Sequence, residues 1–150
     1  MNEYSYKTIH SLKHAKNRKS NNQFVIEGKR LVESALKSYI NIGPVFCTDN
    51  FLIENKAWVE KHIKKDTLIK TIEKKTLLKI SNTKSPQGIL TVCDIPEQNP
   101  VKLTINKWIY LDKISEPGNV GTLIRSCAWF GIRNIALSPN CADPYNPKSV

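Results

Sequence analysis

A chain of 150 residues, 40% hydrophobic and 24% charged, suits a soluble globular protein with one ordinary core, or one small domain and part of another, and argues against a disordered tail. No run of about 18 uncharged apolar residues occurs, so no membrane-spanning helix is predicted. The opening MNEYSYKTIHSLKHAKNRKS lacks the apolar core of a secretory signal, which makes the cytoplasm the expected location.

Net charge is +10, from 23 Lys and Arg against 13 Asp and Glu. Such a surface attracts phosphate backbones through counterion release. The excess is concentrated early: Lys7, Lys13, Lys16, Arg18, Lys19, Lys29 and Arg30 stand against only Glu3 and Glu27 in residues 1–30. That clustering favours a nucleic-acid face. Lys13, Lys16, Arg18, Lys29 and Arg30 are the candidate phosphate contacts, joined by Lys84 in a later polar loop; for any one of them a solvated basic face is the alternative reading.

In chain order, His10 to Arg18 reads as a short basic helix broken by Asn21-Asn22. Gln23 to Glu27 reads as a strand closed by Gly28, and Lys29 to Tyr39 as a helix with Leu31, Val32, Ala35 and Leu36 on one face. Gly43-Pro44 punctuates before a strand at Val45 to Thr48. A helix from Phe51 to Ile63, a strand from Thr67 to Ile72 and a helix from Glu73 to Ile80 follow. Ser81 to Gly88 is a polar loop, and Ile89 to Cys93 a last strand before the proline-bearing linker from Asp94 to Val101. Alternating strands and helices predict a small α/β layer fold.

A second α/β pattern then begins. Lys107 to Asp112 is a strongly apolar strand in which Trp108 is expected to be core. The loop Lys113 to Gly118 leads to a helix from Asn119 to Phe130, Gly131 occupies a helix C-cap position, and Arg133 to Leu137 is the next strand. Two strands and one helix cannot cover both faces of a parallel sheet, so this domain is expected to be truncated, wanting on the order of 100 further residues.

The four cysteines, Cys47, Cys93, Cys127 and Cys141, have no C-x-x-C pair, so buried free thiols are expected and no metal site. His10 and His14 could meet on one helix turn, but without a third ligand they read as surface or RNA-contacting residues. Trp58 is expected to pack a helix.

The stretch LDKISEPGNVGTLIRSCAWFGI, Leu111 to Ile132, carries the chemistry. On its helix Val120, Leu123, Ile124, Cys127 and Ala128 form one apolar stripe, while Thr122, Arg125 and Trp129 fall opposite. Gly121 stands one turn before Arg125 and is expected to leave a gap beside the guanidinium, just beyond the C-terminal end of a strand, where open α/β sheets tend to bind ligands. An ordinary surface arginine is the alternative. The segment lacks the third glycine of a dinucleotide fingerprint and the Gly-Lys-Ser/Thr of a P-loop. It also follows a strand, whereas the G-x-x-G of a KH domain lies between helices.

Glu116, Pro117, Asn119, Val120, Gly121, Ile124 and Arg125 resemble the first signature motif of the SpoU (TrmH-like) branch of the SPOUT methyltransferases. Ala142 to Val150, ADPYNPKSV, resembles the approach to that family's second motif. Phe24 to Gly28, Arg30 to Glu33 and Ser81 to Gly88 resemble the small, ribosomal-protein-like substrate-binding domain that precedes many members' catalytic domain.

The resemblance implies an α/β protein with an RNA substrate-binding domain over 1–96, a linker over 97–104, and over 105–150 the first part of a knotted parallel-sheet SPOUT domain, with the knot itself absent. It implies methyl transfer from S-adenosylmethionine to a ribose 2′-hydroxyl of ribosomal or transfer RNA, with Arg125 as the catalytic arginine and Asn119 as its motif partner. Arginine stays protonated and is a poor base. Arg125 is therefore expected to bind the adjacent phosphate and the emerging alkoxide, Asn119 to hold the loop and orient Arg125, and Glu116 to shape the turn. Cofactor contacts are expected beyond Val150, so this chain by itself is expected to be inactive. The complete protein is expected to be a homodimer. A non-catalytic module for structured RNA and a protein–protein adaptor on the same scaffold remain the competing readings.

Overall fold

Strand-forming residues bounded by asparagine and glycine give the first unit its first strand. Gln23–Glu27 (β1) pairs antiparallel with Ile89–Asp94 (β4), Val25 opposite Val92. In this computed structural model, which describes residues 4–97 and 107–150, the chain divides into two units, Met1–Pro96 and Glu97–Val150. Apart from Glu97, the expected linker 97–104 lies outside the described residues.

In the first unit the helices are Tyr6–Ser11 (α1), Ala15–Asn21 (α2), Lys29–Leu36 (α3), Asp49–Glu54 (α4), Lys56–His62 (α5) and Lys74–Ile80 (α6). Ile42–Cys47 (β2) and Ile69–Thr71 (β3) complete the sheet. Its order is β1-β4-β2-β3, with only β2 and β3 parallel. The last strand in sequence thus lies between the first two, a placement that alternation alone does not specify.

Alternate residues point to opposite faces of a strand. Val25, Phe46, Leu90 and Val92 accordingly pack on one face with Ile9 and Leu12 around α1 and with Leu77 and Ile80 of α6. On the other face α3 buries Val32 and Ala35, while Leu31 stays 37% exposed. Cys47 and Cys93 are buried free thiols, pushed up to about 11 and about 12 by that burial and by neighbouring Asp49 and Asp94.

Several element boundaries differ from the periodicity reading. The helix expected over His10 to Arg18 is two helices with a turn at Leu12–His14. The cause is Arg18. Its guanidinium, 1% exposed, donates to the Leu12 and Lys13 carbonyls at 2.8 and 2.9 Å. Those carbonyls point inward at a buried cation, and the helix cannot run through them. His10 and His14 therefore do not share a helix turn.

The helix expected over Phe51 to Ile63 divides at Asn55, whose side-chain amide donates to the Phe51 carbonyl. β2 begins at Ile42 and includes the Gly43-Pro44 pair read as punctuation. The register shifts between Ile42 and Val45, and the buried Thr91 hydroxyl donates to the Pro44 carbonyl at 3.0 Å. A bulge is where a strand tolerates proline.

In the second unit Trp108–Leu111 (β5) pairs in parallel with Asn134–Leu137 (β6), and Pro117–Trp129 (α7) connects them. Among the described residues β5 pairs only with β6. Trp108, expected in the core, is 40% exposed and Tyr110 64%. The apolar stripe of α7 is covered only in part. Val120 and Cys127 are buried, Leu123 is 36% exposed and Ala128 lies open, because two strands are narrower than the stripe. No described helix is long and apolar enough to cross a membrane.

Candidate functional site

The loop after β5 enters α7 through Glu116 and Pro117. Glu116 is the N-cap residue, with extended backbone and a carbonyl that accepts from the Asn119 and Val120 N–H groups. Pro117 takes the first helical position, where its fixed φ and missing N–H cost nothing. The helix thus starts two residues before the expected Asn119. At its other end Gly131 adopts φ 71, its N–H bonds the Ala128 carbonyl, and the Ile132 N–H bonds Cys127. This paired arrangement is a Schellman cap, and the left-handed residue it needs is most easily glycine.

Arg125 is exposed and oriented on one side only. Its Nη2 donates to Thr122 Oγ1 at 3.2 Å, and its Nη1 donates to the Ser149 carbonyl at 3.3 Å. Thr122 donates its own proton to the Gly118 carbonyl at 2.8 Å, which leaves its lone pairs for the guanidinium. No carboxylate pairs with Arg125 among the described residues. Asn119 is exposed, and Arg125 takes its hydrogen bonds from Thr122 and Ser149 rather than from the asparagine expected to orient it.

The gap expected at Gly121 is filled. A Cβ built there would overlap the Ser149 carbonyl, so the glycine admits backbone rather than leaving room for a ligand. Residues 142–150 are wound to bring that carbonyl in. Asp143 Oδ1 accepts from the Tyr145 N–H, Asn146 Oδ1 accepts from the Lys148 N–H, and Ser149 Oγ donates to the Asp143 carbonyl. Ser149 is buried as a result. The two stretches that carry the motif resemblance therefore pack directly on one another.

In the first unit the candidate cations separate into two groups. Lys13, Lys16, Arg30 and Lys84 are exposed. Arg18 is not a phosphate contact, because its charge is enclosed and spent on two carbonyls. Lys29 is half-buried; its Nζ donates to Asn55 Oδ1 at 2.9 Å and lies 5.5 Å from the centre of the Trp58 ring. His10 Nδ1 lies 2.6 Å from the Lys79 carbonyl and must donate there, so in the neutral ring Nε2 accepts from Lys13 Nζ at 2.7 Å. Among the described residues no group of three potential metal ligands occurs.

The model of the MRM3-like substrate binding domain matches residues 5–91, more than half of the chain, and the SpoU rRNA Methylase family model matches residues 106–150. The chain belongs to the family of MRM3-like substrate binding domains, and its residues 106–150 are similar to the SpoU rRNA methylases. It is 28% identical over 145 residues to the Bacillus subtilis 23S rRNA (guanosine(2553)-2'-O)-methyltransferase RlmP, covering 97% of this chain and 54% of that one. It is 29% identical to the human mitochondrial rRNA methyltransferase 3, covering 87% of this chain and 32% of the relative.

Among solved structures, a putative RNA methyltransferase of the TrmH family from Porphyromonas gingivalis superposes with a TM-score of 0.79 at 28% identity, over 96% of this chain and 55% of that one. The AdoMet-bound SpoU methyltransferase AviRb from Streptomyces viridochromogenes shares the fold, at TM-score 0.82 and 18% identity, over 96% of this chain and 56% of that one. The chain spans about half the length of the first curated relatives it matches.

Within the SpoU motif, sequence reasoning missed Thr122 and Ser149 as partners of Arg125. Thr122 was legible as a same-face neighbour three residues away. The Asp-Pro and Asn-Pro pairs before Ser149 signal turns, but nothing local says where those turns lead.

Proposed function

We propose that this chain supplies the RNA-binding domain and the first catalytic motif of an S-adenosylmethionine-dependent ribosomal RNA 2′-O-methyltransferase. One observation carries the reading: the Arg125 guanidinium is oriented by a hydroxyl and a carbonyl and is not neutralised by any described carboxylate. A fixed, uncompensated cation suits an anion brought by the substrate. A ribose hydroxyl is a poor nucleophile until its developing charge is stabilised, and a preoriented donor does that without reorganising. In this role Arg125 binds the phosphate beside the target ribose and the emerging alkoxide, Asn119 borders the substrate at the exposed start of α7, and Glu116 shapes the turn.

A cleft of about 320 Å³ in the first unit is lined by Thr48, Phe51, Leu77 and Gln87 among others. On the family resemblance, contacts to S-adenosylmethionine are proposed for the part of the relatives' length that this chain does not span. A homodimer is proposed for the complete enzyme, on the family resemblance and on Trp129 and Phe130, 87% and 80% exposed at the end of α7.

The test uses the gene product that contains this chain, labelled S-adenosylmethionine and a 23S ribosomal RNA transcript. Label should appear on a ribose 2′-oxygen, and Arg125→Ala should lower transfer by about a hundredfold. Salt-sensitive RNA binding with no transfer would replace this reading with that of a non-catalytic RNA-binding module.

A further inference from the structure

Glu27 ends β1 and turns its carboxylate onto the loop 81–88, SNTKSPQG. Oε2 accepts from the Ser81 hydroxyl at 2.6 Å and from the Thr83 hydroxyl at 3.4 Å, and Oε1 accepts from the Asn82 backbone N–H at 2.5 Å. At the far end of the loop, Gln87 Oε1 accepts from the Lys29 backbone N–H at 3.2 Å. Gly28 between them adopts φ +90, and a Cβ there would meet Gln87 Oε1 at 2.8 Å. One three-residue corner, Glu27-Gly28-Lys29, thus clamps both ends of a loop more than fifty positions away.

The clamp has an electrostatic consequence. The only carboxylate of that corner is spent on loop donors, and the loop itself contains no acid. Exposed Lys84 and, in the first turn of α3, exposed Arg30 remain, with the polar side chains of Asn82 and Ser85. Two residues before Ser81, the Lys79 carbonyl holds His10, which holds Lys13. Lys84 and Arg30 thus stand at the Glu27-clamped side of the loop, while Asp49, Glu54 and Glu73 line a cleft on its Pro86–Gly88 side.

We infer that Glu27 is a positioning residue for RNA recognition, holding the loop 81–88 in the shape that offers Lys84 to the RNA backbone. The inference rests on the RNA-binding reading above. An unclamped loop must be ordered during binding, at about 1–2 kcal/mol of backbone entropy per residue, and preorganisation removes that cost. Charge alone predicts the opposite sign: neutralising an acid on a basic surface should tighten RNA binding.

The experiment measures affinity of the 150-residue chain for a 23S ribosomal RNA transcript at fixed salt, with amide exchange as the structural readout. Glu27→Gln should bind about five- to tenfold more weakly although it removes a negative charge, with faster exchange at residues 82–85 and unchanged exchange in β1 and β4. Ser81→Ala with Thr83→Val removes the two hydroxyl donors without altering charge, leaves the Asn82 N–H in place and should weaken binding in the same direction, which keeps the test open if Glu27→Gln fails to fold. Glu27→Asp should recover part of the loss. Lys84→Ala should weaken binding and lower the salt slope by about one, and adding Glu27→Gln to it should cost less than either change predicts alone. If neither Lys84→Ala nor Arg30→Ala alters binding, the RNA reading of this corner fails. If they do, but Glu27→Gln or the Ser81/Thr83 pair leaves affinity unchanged or higher, the positioning role of Glu27 is overturned.

Discussion

The Ser149 carbonyl oxygen lies where a side chain at position 121 would stand, and Gly121 is the residue that admits it. The same carbonyl accepts from Arg125. One backbone atom thus links the two motif stretches and fixes one side of the guanidinium.

The two glycines of Gly118-Asn-Val-Gly121 should therefore behave oppositely. Both are helical, and a Cβ at Gly118 meets only the Glu116 side chain, at 3.8 Å. Gly118→Ala should stabilise the second unit by about 0.5–1 kcal/mol through helix propensity. Gly121→Ala should displace residues 146–150, seen as loss of amide protection at Ser149 and Val150. Equal tolerance at both positions would contradict the packing.

Removing the buried cation of the first unit tests the reassignment of Arg18. Arg18→Met leaves the Leu12 and Lys13 carbonyls without their donor and should cost about 2–4 kcal/mol in urea unfolding. Arg18→Lys should restore little, because an ammonium cannot reproduce the planar fork. RNA affinity measured on the folded fraction should stay near wild type, whereas a phosphate contact would lose it with full stability retained.

Glu33 makes the acid limb predictable. Hydrogen bonds from Lys37 Nζ (2.6 Å) and Trp58 Nε1 (3.0 Å), opposed by desolvation and helped by nearby His62, hold its carboxyl down to about 2 from an ordinary 4.5. The folded state therefore binds this proton less readily than the unfolded chain. Its contribution is complete above about 4.5 and is lost as pH falls towards about 2. Glu33→Gln should flatten the pH dependence of unfolding in that window and be less stable than wild type at neutral pH. Identical slopes for the two proteins would locate the acid sensitivity elsewhere.

Much of this molecule was legible from local pattern. β1, β4, α6, β5 and β6 appear close to where alternation, apolar runs and Gly or Pro punctuation put them, because those signals act over a few residues. The motif from Glu116 to Arg125 carried the family resemblance in the same way. Charge counting could not see that Arg18 is enclosed while Lys13 and Lys16 are exposed, since all three look alike until the chain turns at Leu12. Nor could periodicity place β4 between β1 and β2, or show that β5 has a single neighbour among the described strands.

The sequence by itself determined the alternation of strands with helical stretches, the basic composition and the presence of the arginine motif. Tertiary structure decided which cations are available, what fills the space at Gly121, and which acid shapes the loop around Lys84. The last two rest on hydrogen bonds and close approaches between residues 24 to 58 positions apart, and the first on a turn that folds Arg18 back onto the Leu12 and Lys13 carbonyls. Such contacts are made only when the chain folds back on itself, so they leave no periodic trace in the sequence.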